Sequence, residues 1–75
     1  MHFKPIQAPT SVDLFMDQIK TAILTGALQP GEKLPSEREL CQQLKFSRAV
    51  INTGFRRLTA LHFITMQPRK GNFVA

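Results

Sequence analysis

The first third of the chain carries one apolar stripe, in which apolar residues recur every three or four positions, as on one face of a helix: Val12, Phe15, Ile19, Ala22 and Ile23. The stripe predicts a helix of about fifteen residues. Thr10 and Asp13 match a capping box at its start, with Asp in place of the preferred Glu. Gly26 follows the stripe and predicts a left-handed residue that ends the helix.

A second, shorter helix is predicted in the middle of the chain. Ser36 is a favourable N-cap, and Glu39 lies three residues later, where it completes a capping box. Leu40 and Leu44 supply the buried edge of about nine helical residues. We expect this helix to end near Lys45-Phe46.

Ser47 can cap a third helix almost at once, so that a turn of about three residues joins two helices. The core stripe of the third helix consists of Ile51, Phe55 and Leu58, with Val50 and Leu61 beside it. Arg48, Asn52 and Arg56 are spaced by four residues and line a different face. The two capped helices predict a helix-turn-helix.

The end of the chain changes to a β-prone pattern. Residues 63–66 and 72–75 can form two strands, and Pro68–Gly71 predicts the turn between them. The tip of this hairpin carries Arg69 and Lys70. Together with the three helices, the hairpin predicts a mainly α fold with a small β-hairpin, that is, a three-helix winged helix-turn-helix.

Charge is distributed unevenly along the chain. The 75 residues contain ten Lys and Arg against five Asp and Glu, for a formal net charge of +5. Residues 1–37 hold three of these cations and four of the acids, whereas residues 38–75 hold seven cations and one acid. A basic half of this kind is typical of a nucleic-acid binder, although it also suits an anionic membrane or an acidic protein.

The remaining composition excludes several classes of protein. No apolar run approaches the ~18–20 residues that span a bilayer. The single cysteine, Cys41, excludes an internal disulfide and favours a reducing, intracellular setting. His2 and His62 are not spaced as metal ligands, and no phosphate loop or catalytic constellation is present, so we expect no metal, no cofactor and no enzymatic activity. Residues 1–9 show no clear period and are expected to form an N-terminal arm.

Five short motifs follow one another from the turn after the first helix to the end of the hairpin: Gly26-Ala27-Leu28-Gln29-Pro30-Gly31, Leu34-Pro35-Ser36-Glu37-Arg38-Glu39-Leu40, Ser47-Arg48, Arg56-Arg57-Leu58 and Gly71-Asn72-Phe73-Val74. In this order and at this spacing they resemble the N-terminal domain of GntR-family bacterial transcription regulators. Each motif is weak alone, but the five together are specific. The resemblance covers the chain from about Val12 to Ala75.

The resemblance implies a winged helix-turn-helix over residues 10–75. The recognition helix, about 47–60, is then expected in the major groove, and the wing, about 63–75, on the DNA backbone or in the minor groove. The resemblance also implies a double-stranded, palindromic operator as partner, a homodimer in the full-length protein, and a small-molecule effector bound by a C-terminal domain absent from these residues. The expected protein is a cytoplasmic bacterial regulator or repressor that does not enter a membrane; the alternative is a winged helix used for protein–protein contact.

The residues expected to contact DNA lie on both helices of the helix-turn-helix and on the hairpin: Ser36, Arg38, Ser47, Arg48, Ala49, Asn52, Thr53, Arg56, Arg69, Lys70 and Gly71. Arg48 and Asn52 stand near the helix end that reaches base edges, and the two cations of the hairpin tip suit phosphates. No residue is expected to be catalytic or to bind a metal.

Three positions depart from the pattern of the family. Asn52 stands where an arginine is common, which predicts a preference shifted from guanine towards adenine. His62 replaces a common glycine at the end of the third helix, so we expect an unusual backbone conformation there. Gly54 replaces a common alanine, and we expect its missing Cβ to admit Phe55 or Cys41.

Overall fold

The computed structural model describes residues 10–75 of the chain. The predicted N-terminal arm, residues 1–9, lies outside the described residues. Three helices precede one antiparallel hairpin: α1 (Ser11–Leu24), α2 (Glu37–Leu44), α3 (Arg48–Ala60), β1 (Ile64–Gln67) and β2 (Gly71–Val74). This order confirms the predicted three-helix winged helix-turn-helix.

The start of α1 is fixed by a reciprocal pair of hydrogen bonds. The Thr10 hydroxyl accepts from the backbone N–H of Asp13, and the Asp13 carboxylate accepts from the backbone N–H of Thr10, both at 3.1 Å. The predicted capping box is therefore confirmed. The bond from the Thr10 N–H favours the charged carboxylate and lowers the pKa of Asp13 below its ordinary value of 3.8.

The other two helix starts are also confirmed, but they differ from each other. Ser36 and Glu39 form a capping box at α2, in which Ser36 accepts from the Glu39 N–H at 3.2 Å. Ser47 caps α3 by accepting from the Val50 N–H at 3.2 Å, and the first turn of α3 contains no acidic residue.

Residues in the left-handed region follow each helix. Gly26 has a φ of +82°, which confirms the predicted end of α1, and glycine takes this conformation without a steric cost. Lys45 follows α2 with a φ of +62°, and His62 follows α3 with a φ of +66°. The unusual conformation expected for His62 is thus confirmed.

One core joins the three helices to the hairpin and consists of Phe15, Met16, Ile19, Leu34, Leu40, Ile51, Phe55, Leu58, Ile64 and Val74. The fully buried ring of Phe15 stands edge-on to the ring of Phe55, with centroids 5.6 Å apart. A Cβ placed on Gly54 would lie 2.6 Å from Cε2 of Phe15. The expectation that Gly54 admits Phe55 or Cys41 is therefore wrong, because the space is filled by a ring from α1.

Two apolar residues after α3, Leu61 and Phe63, are not fully buried. Leu61 is 52% exposed, because it is the C-cap residue at which the chain leaves the helix, so its placement beside the core is wrong. Phe63 is half-buried and packs against the edge of the core. The ammonium of Lys20 lies 5.4 Å from the centroid of the Phe63 ring and covers part of it.

The hairpin also pairs with the segment that joins α1 to α2. Within the hairpin, residue 64 faces 74 and residue 67 faces 71. Along the other edge of β2, Lys33 forms a bridge with Phe73. The Leu34 N–H donates to the Asn72 carbonyl at 2.8 Å on the same edge. The hairpin is therefore attached to the segment that leads into α2.

Candidate nucleic-acid interface

The turn between α2 and α3 holds the two helices in the arrangement of a helix-turn-helix. The Lys45 N–H donates to the Cys41 carbonyl at 3.1 Å and closes the last turn of α2. The half-buried ring of Phe46 then lies edge-on to Phe15, with centroids 6.0 Å apart. Because Gly54 has no side chain, the Phe15 ring of α1 can pack directly against the backbone of α3 at this position. These contacts place α3 against the core and leave its polar side in solvent.

We call the line of Arg48, Asn52 and Arg56 the reading face of α3. All three residues are exposed. Within residues 10–75, none of the side-chain hydrogen bonds involves an arginine or a lysine side chain. The Asn52 amide, in contrast, donates from Nδ2 to Oε1 of Glu37 at 2.9 Å. The middle residue of the reading face, Asn52, is therefore hydrogen-bonded to α2, whereas within residues 10–75 the side chains of Arg48 and Arg56 form no hydrogen bond.

Two clefts connect the reading face to the hairpin. The first is lined by Asn52 and Arg56 of α3, together with Glu37 and Asn72. The second lies between the start of α2 and the hairpin tip, and its lining includes Lys33, Ser36, Glu37, Arg69, Lys70, Gly71 and Asn72. Because Glu37 and Asn72 line both clefts, the surface continues from α3 to the tip of the hairpin.

The other predicted residues do not line these two clefts. Arg38 and Ala49 are exposed in the first turns of α2 and α3. Thr53 is half-buried and lines a third, shallow cleft together with Arg56 and Arg57. The first two clefts thus bring together Ser36, Asn52, Arg56, Arg69, Lys70 and Gly71, and the third cleft joins Thr53 to Arg56.

The tip of the hairpin contains an unusual backbone conformation. The Lys70 N–H donates to the Gln67 carbonyl at 3.0 Å and closes a turn in which Pro68 precedes Arg69. Arg69 is the third residue of this turn and has a φ of +65°, a left-handed value that glycine usually supplies. The Arg69 side chain is therefore exposed at a residue whose backbone conformation is strained.

Lys33 belongs to the same surface and was missed by the sequence analysis. A Cβ placed on Gly71 would lie 3.0 Å from Cε of Lys33 and 3.8 Å from its Nζ, so the lysine stem passes over the bare backbone of Gly71. Lys33 lies in the half of the sequence with little net charge, and only its bridge to Phe73 brings it to the hairpin. Three residues between a Gly and a Pro are too short for a strand pattern to reveal that bridge.

The two serine caps leave different groups available. The Ser36 hydroxyl donates to Oε1 of Glu39 at 3.1 Å while it accepts from the Glu39 N–H. The Ser47 hydroxyl accepts from the Val50 N–H, and within the described part of the chain it donates to no other group. Ser47 therefore retains a donor for a phosphate oxygen, whereas the hydrogen of Ser36 is already used.

A family model described as bacterial regulatory proteins, gntR family, matches residues 15–74 of this chain. The chain belongs to the GntR family. It is 34% identical over 67 residues to the HTH-type transcriptional regulator Mce2R of Mycobacterium tuberculosis, a match that covers 89% of this chain and 28% of that protein. It is 43% identical over 53 residues to the galactonate operon transcriptional repressor of Escherichia coli K12, covering 71% and 23%. The chain thus spans about a quarter of the length of these relatives.

The architecture of this GntR domain is that of a solved DNA-binding domain. The DNA-binding domain of AraR, in a crystal structure with its operator ORX1, aligns with a TM-score of 0.87 and 26% identity over 100% of this chain and 93% of that one. Our chain is accordingly a winged helix-turn-helix DNA-binding domain of a GntR-family transcription regulator. Within residues 10–75, no helix has the length and apolar character that a membrane crossing requires.

Proposed function

We propose that this GntR domain binds operator DNA with the first two turns of α3 in the major groove and the hairpin tip on the sugar-phosphate backbone. The observation that carries the proposal is the continuous surface that joins the reading face to the hairpin tip through Glu37 and Asn72. An α-helix fits the major groove, and residues near its N-terminus reach base edges. The exposed cations along this surface have no internal hydrogen bonds within residues 10–75 and suit phosphates.

The proposed contacts fall into two groups. Arg48, Ala49, Asn52 and Thr53 are proposed for the groove, where side chains meet base edges. The backbone group consists of Lys33, Ser36, Arg38, Ser47, Arg56, Arg69, Lys70 and Gly71. In this group, Gly71 contributes close approach rather than a side chain, and the Ser36 hydroxyl exchanges its hydrogen bond to Glu39 for one to a phosphate. The role of the domain is binding and not catalysis.

We further propose that this domain is part of a longer cytoplasmic regulator. Two copies would pair on a palindromic operator, and a further domain would bind a small-molecule effector. The share of the relatives that the chain spans, 28% and 23%, supports this proposal. On its own, the 75-residue chain should sediment as a monomer at micromolar concentration, because the main contacts of the dimer are proposed to lie in the further domain. A tight dimer without DNA would contradict this expectation.

The salt dependence of duplex binding tests the proposed function. If the backbone group neutralises about four to six phosphates, the logarithm of the binding constant should fall with the logarithm of salt concentration with a slope of about −4 to −5. The measurement is a titration of a labelled duplex at several salt concentrations. A slope near zero would contradict the proposal and favour the alternative of a winged helix that contacts another protein.

A further inference from the structure

The hydrogen bond between Asn52 and Glu37 joins the middle of the reading face to the first turn of α2. Asn52 is exposed on α3, and Glu37 is half-buried at the edge of both clefts. A carboxylate offers only acceptors at neutral pH, so only the Nδ2 end of the amide can face it. In the opposite orientation, Oδ1 of Asn52 would meet Oε1 of Glu37, and two acceptors would repel each other. Glu37 therefore fixes which end of the Asn52 amide donates.

The fixed orientation leaves a defined set of groups for DNA. Nδ2 carries two hydrogens, and one of them is used by Glu37 at 2.9 Å. The second hydrogen and the Oδ1 acceptor remain. In the major groove, adenine presents an acceptor at N7 beside a donor at N6, whereas guanine presents acceptors at both N7 and O6. One donor beside one acceptor matches adenine, while guanine would place O6 against Oδ1.

We propose that Glu37 is a specificity-determining residue that acts through Asn52: it holds the amide in the one orientation that accepts adenine at a single base pair. This inference rests on the proposed function, because it assigns the residue that sets one base preference within the reading face. Glu37 itself acts as a positioning residue. Its negative charge is unfavourable close to phosphates, so its effect on selectivity and its effect on overall affinity have opposite signs.

Glu37→Gln tests the proposal because glutamine keeps the size of the side chain but offers both a donor and an acceptor. Either end of the Asn52 amide can then face residue 37. In selections from randomised duplexes, the native chain should prefer adenine over guanine at one base pair by roughly tenfold or more. Glu37→Gln should reduce that preference to less than about threefold, while its affinity for random duplex stays equal or rises.

Glu39→Gln is the matched control. It removes one negative charge from the same helical turn, and glutamine can still complete the capping box with Ser36. Glu39 is not the partner of Asn52. This variant should therefore retain the adenine preference of the native chain, although it gains the same general attraction to DNA. Loss of the preference in Glu39→Gln would show that charge alone sets it and would overturn the proposal.

Asn52→Ala completes the test as a double-mutant cycle. It should abolish the adenine preference by itself, and adding Glu37→Gln should then change the selected sequence no further. Thermal unfolding confirms that each variant is folded, and Glu37→Ala provides a second way to remove the carboxylate. A folded Glu37 variant that keeps the full adenine preference would overturn the positioning role while leaving the proposed function intact. A native chain that shows no salt-dependent duplex binding would instead overturn the proposed function.

Discussion

The helix starts in residues 10–44 differ from the helix start in residues 45–75 in the groups that cap them. In the first part, α1 and α2 both begin with a capping box, in which a carboxylate of the same turn satisfies backbone N–H groups. In the second part, α3 begins at Ser47 with no acidic residue in its first turn and with Arg48 as its first residue. A cation at this end opposes the helix dipole. The helix starts of the first part are thus compensated by internal carboxylates, whereas the positive end of α3 has no acidic residue in its first turn.

The backbone shows the same contrast. In residues 10–44, the left-handed positions are occupied by Gly26 and Gly31. In residues 45–75, three non-glycine residues take positive φ values: Lys45, His62 and Arg69. Each such residue costs about 1–2 kcal/mol relative to an ordinary conformation. Arg69 lies on the proposed DNA surface, where its guanidinium is proposed to contact a phosphate; glycine has no side chain for such a contact.

The contact between the two parts is the place where the largest effect on stability is expected. In Gly54→Ala, the new Cβ would overlap the Phe15 ring, which is fully buried. Overpacking of this kind costs about 1–3 kcal/mol, whereas alanine gains only ~1 kcal/mol in helix propensity, so the net loss of stability is up to about 2 kcal/mol. We expect the free energy of unfolding to fall, as measured by denaturant titration.

A double variant tests whether the overlap with the Phe15 ring causes the loss of stability in Gly54→Ala. Phe15→Leu lowers stability by itself but removes the ring that the Cβ would meet. In the double variant, Gly54→Ala should therefore cost less than it does beside the native Phe15, which gives a favourable interaction energy. Additive losses would show that the Phe15 ring is not what requires glycine at position 54.

Within residues 45–75, binding should distinguish the reading face from the hairpin. Arg48→Ala should cost about 1–3 kcal/mol on the operator and relax the preference at one base pair, because a base contact is lost. Lys70→Ala should weaken all duplexes about equally and reduce the salt slope by about one, because a phosphate contact is lost. Selections from randomised duplexes, followed by titrations at several salt concentrations, measure both effects.

A third variant tests whether Asn52 sets the preference for adenine over guanine. Asn52→Arg introduces the arginine that is common in the family and should shift the preference from adenine towards guanine, since Arg pairs with O6 and N7 of guanine. If Arg48→Ala left the selected sequence unchanged while Lys70→Ala altered it, the roles assigned to α3 and the hairpin would have to be exchanged.

Features set by neighbouring residues could be predicted from the sequence, and features set by distant ones could not. The capping residues Thr10, Ser36 and Ser47 act within one turn, so their residue types reveal them. The Asn52–Glu37 hydrogen bond joins residues fifteen positions apart, and the Lys33 bridge reaches across the fold to the hairpin. Neither partner of such a pair carries a local signal of the other. The predicted site therefore contained Asn52 and most of the cations on this surface, but it omitted Lys33 and the two residues that line both clefts, Glu37 and Asn72.

Arg69→Gly should separate stability from DNA binding at the hairpin tip. Glycine takes the left-handed conformation of position 69 without steric cost, but it also gains freedom in the unfolded chain. We expect the free energy of unfolding to rise by up to about 1 kcal/mol, while the salt slope of DNA binding decreases by about one. Lys70→Gly is the matched control: it removes a cation where φ is not positive, so it should lower stability. A lower stability in Arg69→Gly would mean that the turn does not store the strain described.

Acid should act on the first part of the chain through the capping box of α1. The pKa of Asp13 is lowered, mainly by the hydrogen bond from the Thr10 N–H, so the folded state holds this carboxylate charged to a lower pH than the unfolded chain does. Its contribution to stability is present above the ordinary pKa of 3.8 and is lost as pH falls through the lower folded value. Because Asp13 is exposed, the effect should be small and visible only as a steeper fall of the melting temperature below about pH 4. Asp13→Asn should make the decrease of the melting temperature below about pH 4 less steep. Asp13→Glu supplies the preferred residue of a capping box and should keep the steepness of the native chain. Equal acid slopes in the native chain and Asp13→Asn would show that this cap does not contribute to the acid sensitivity of the fold.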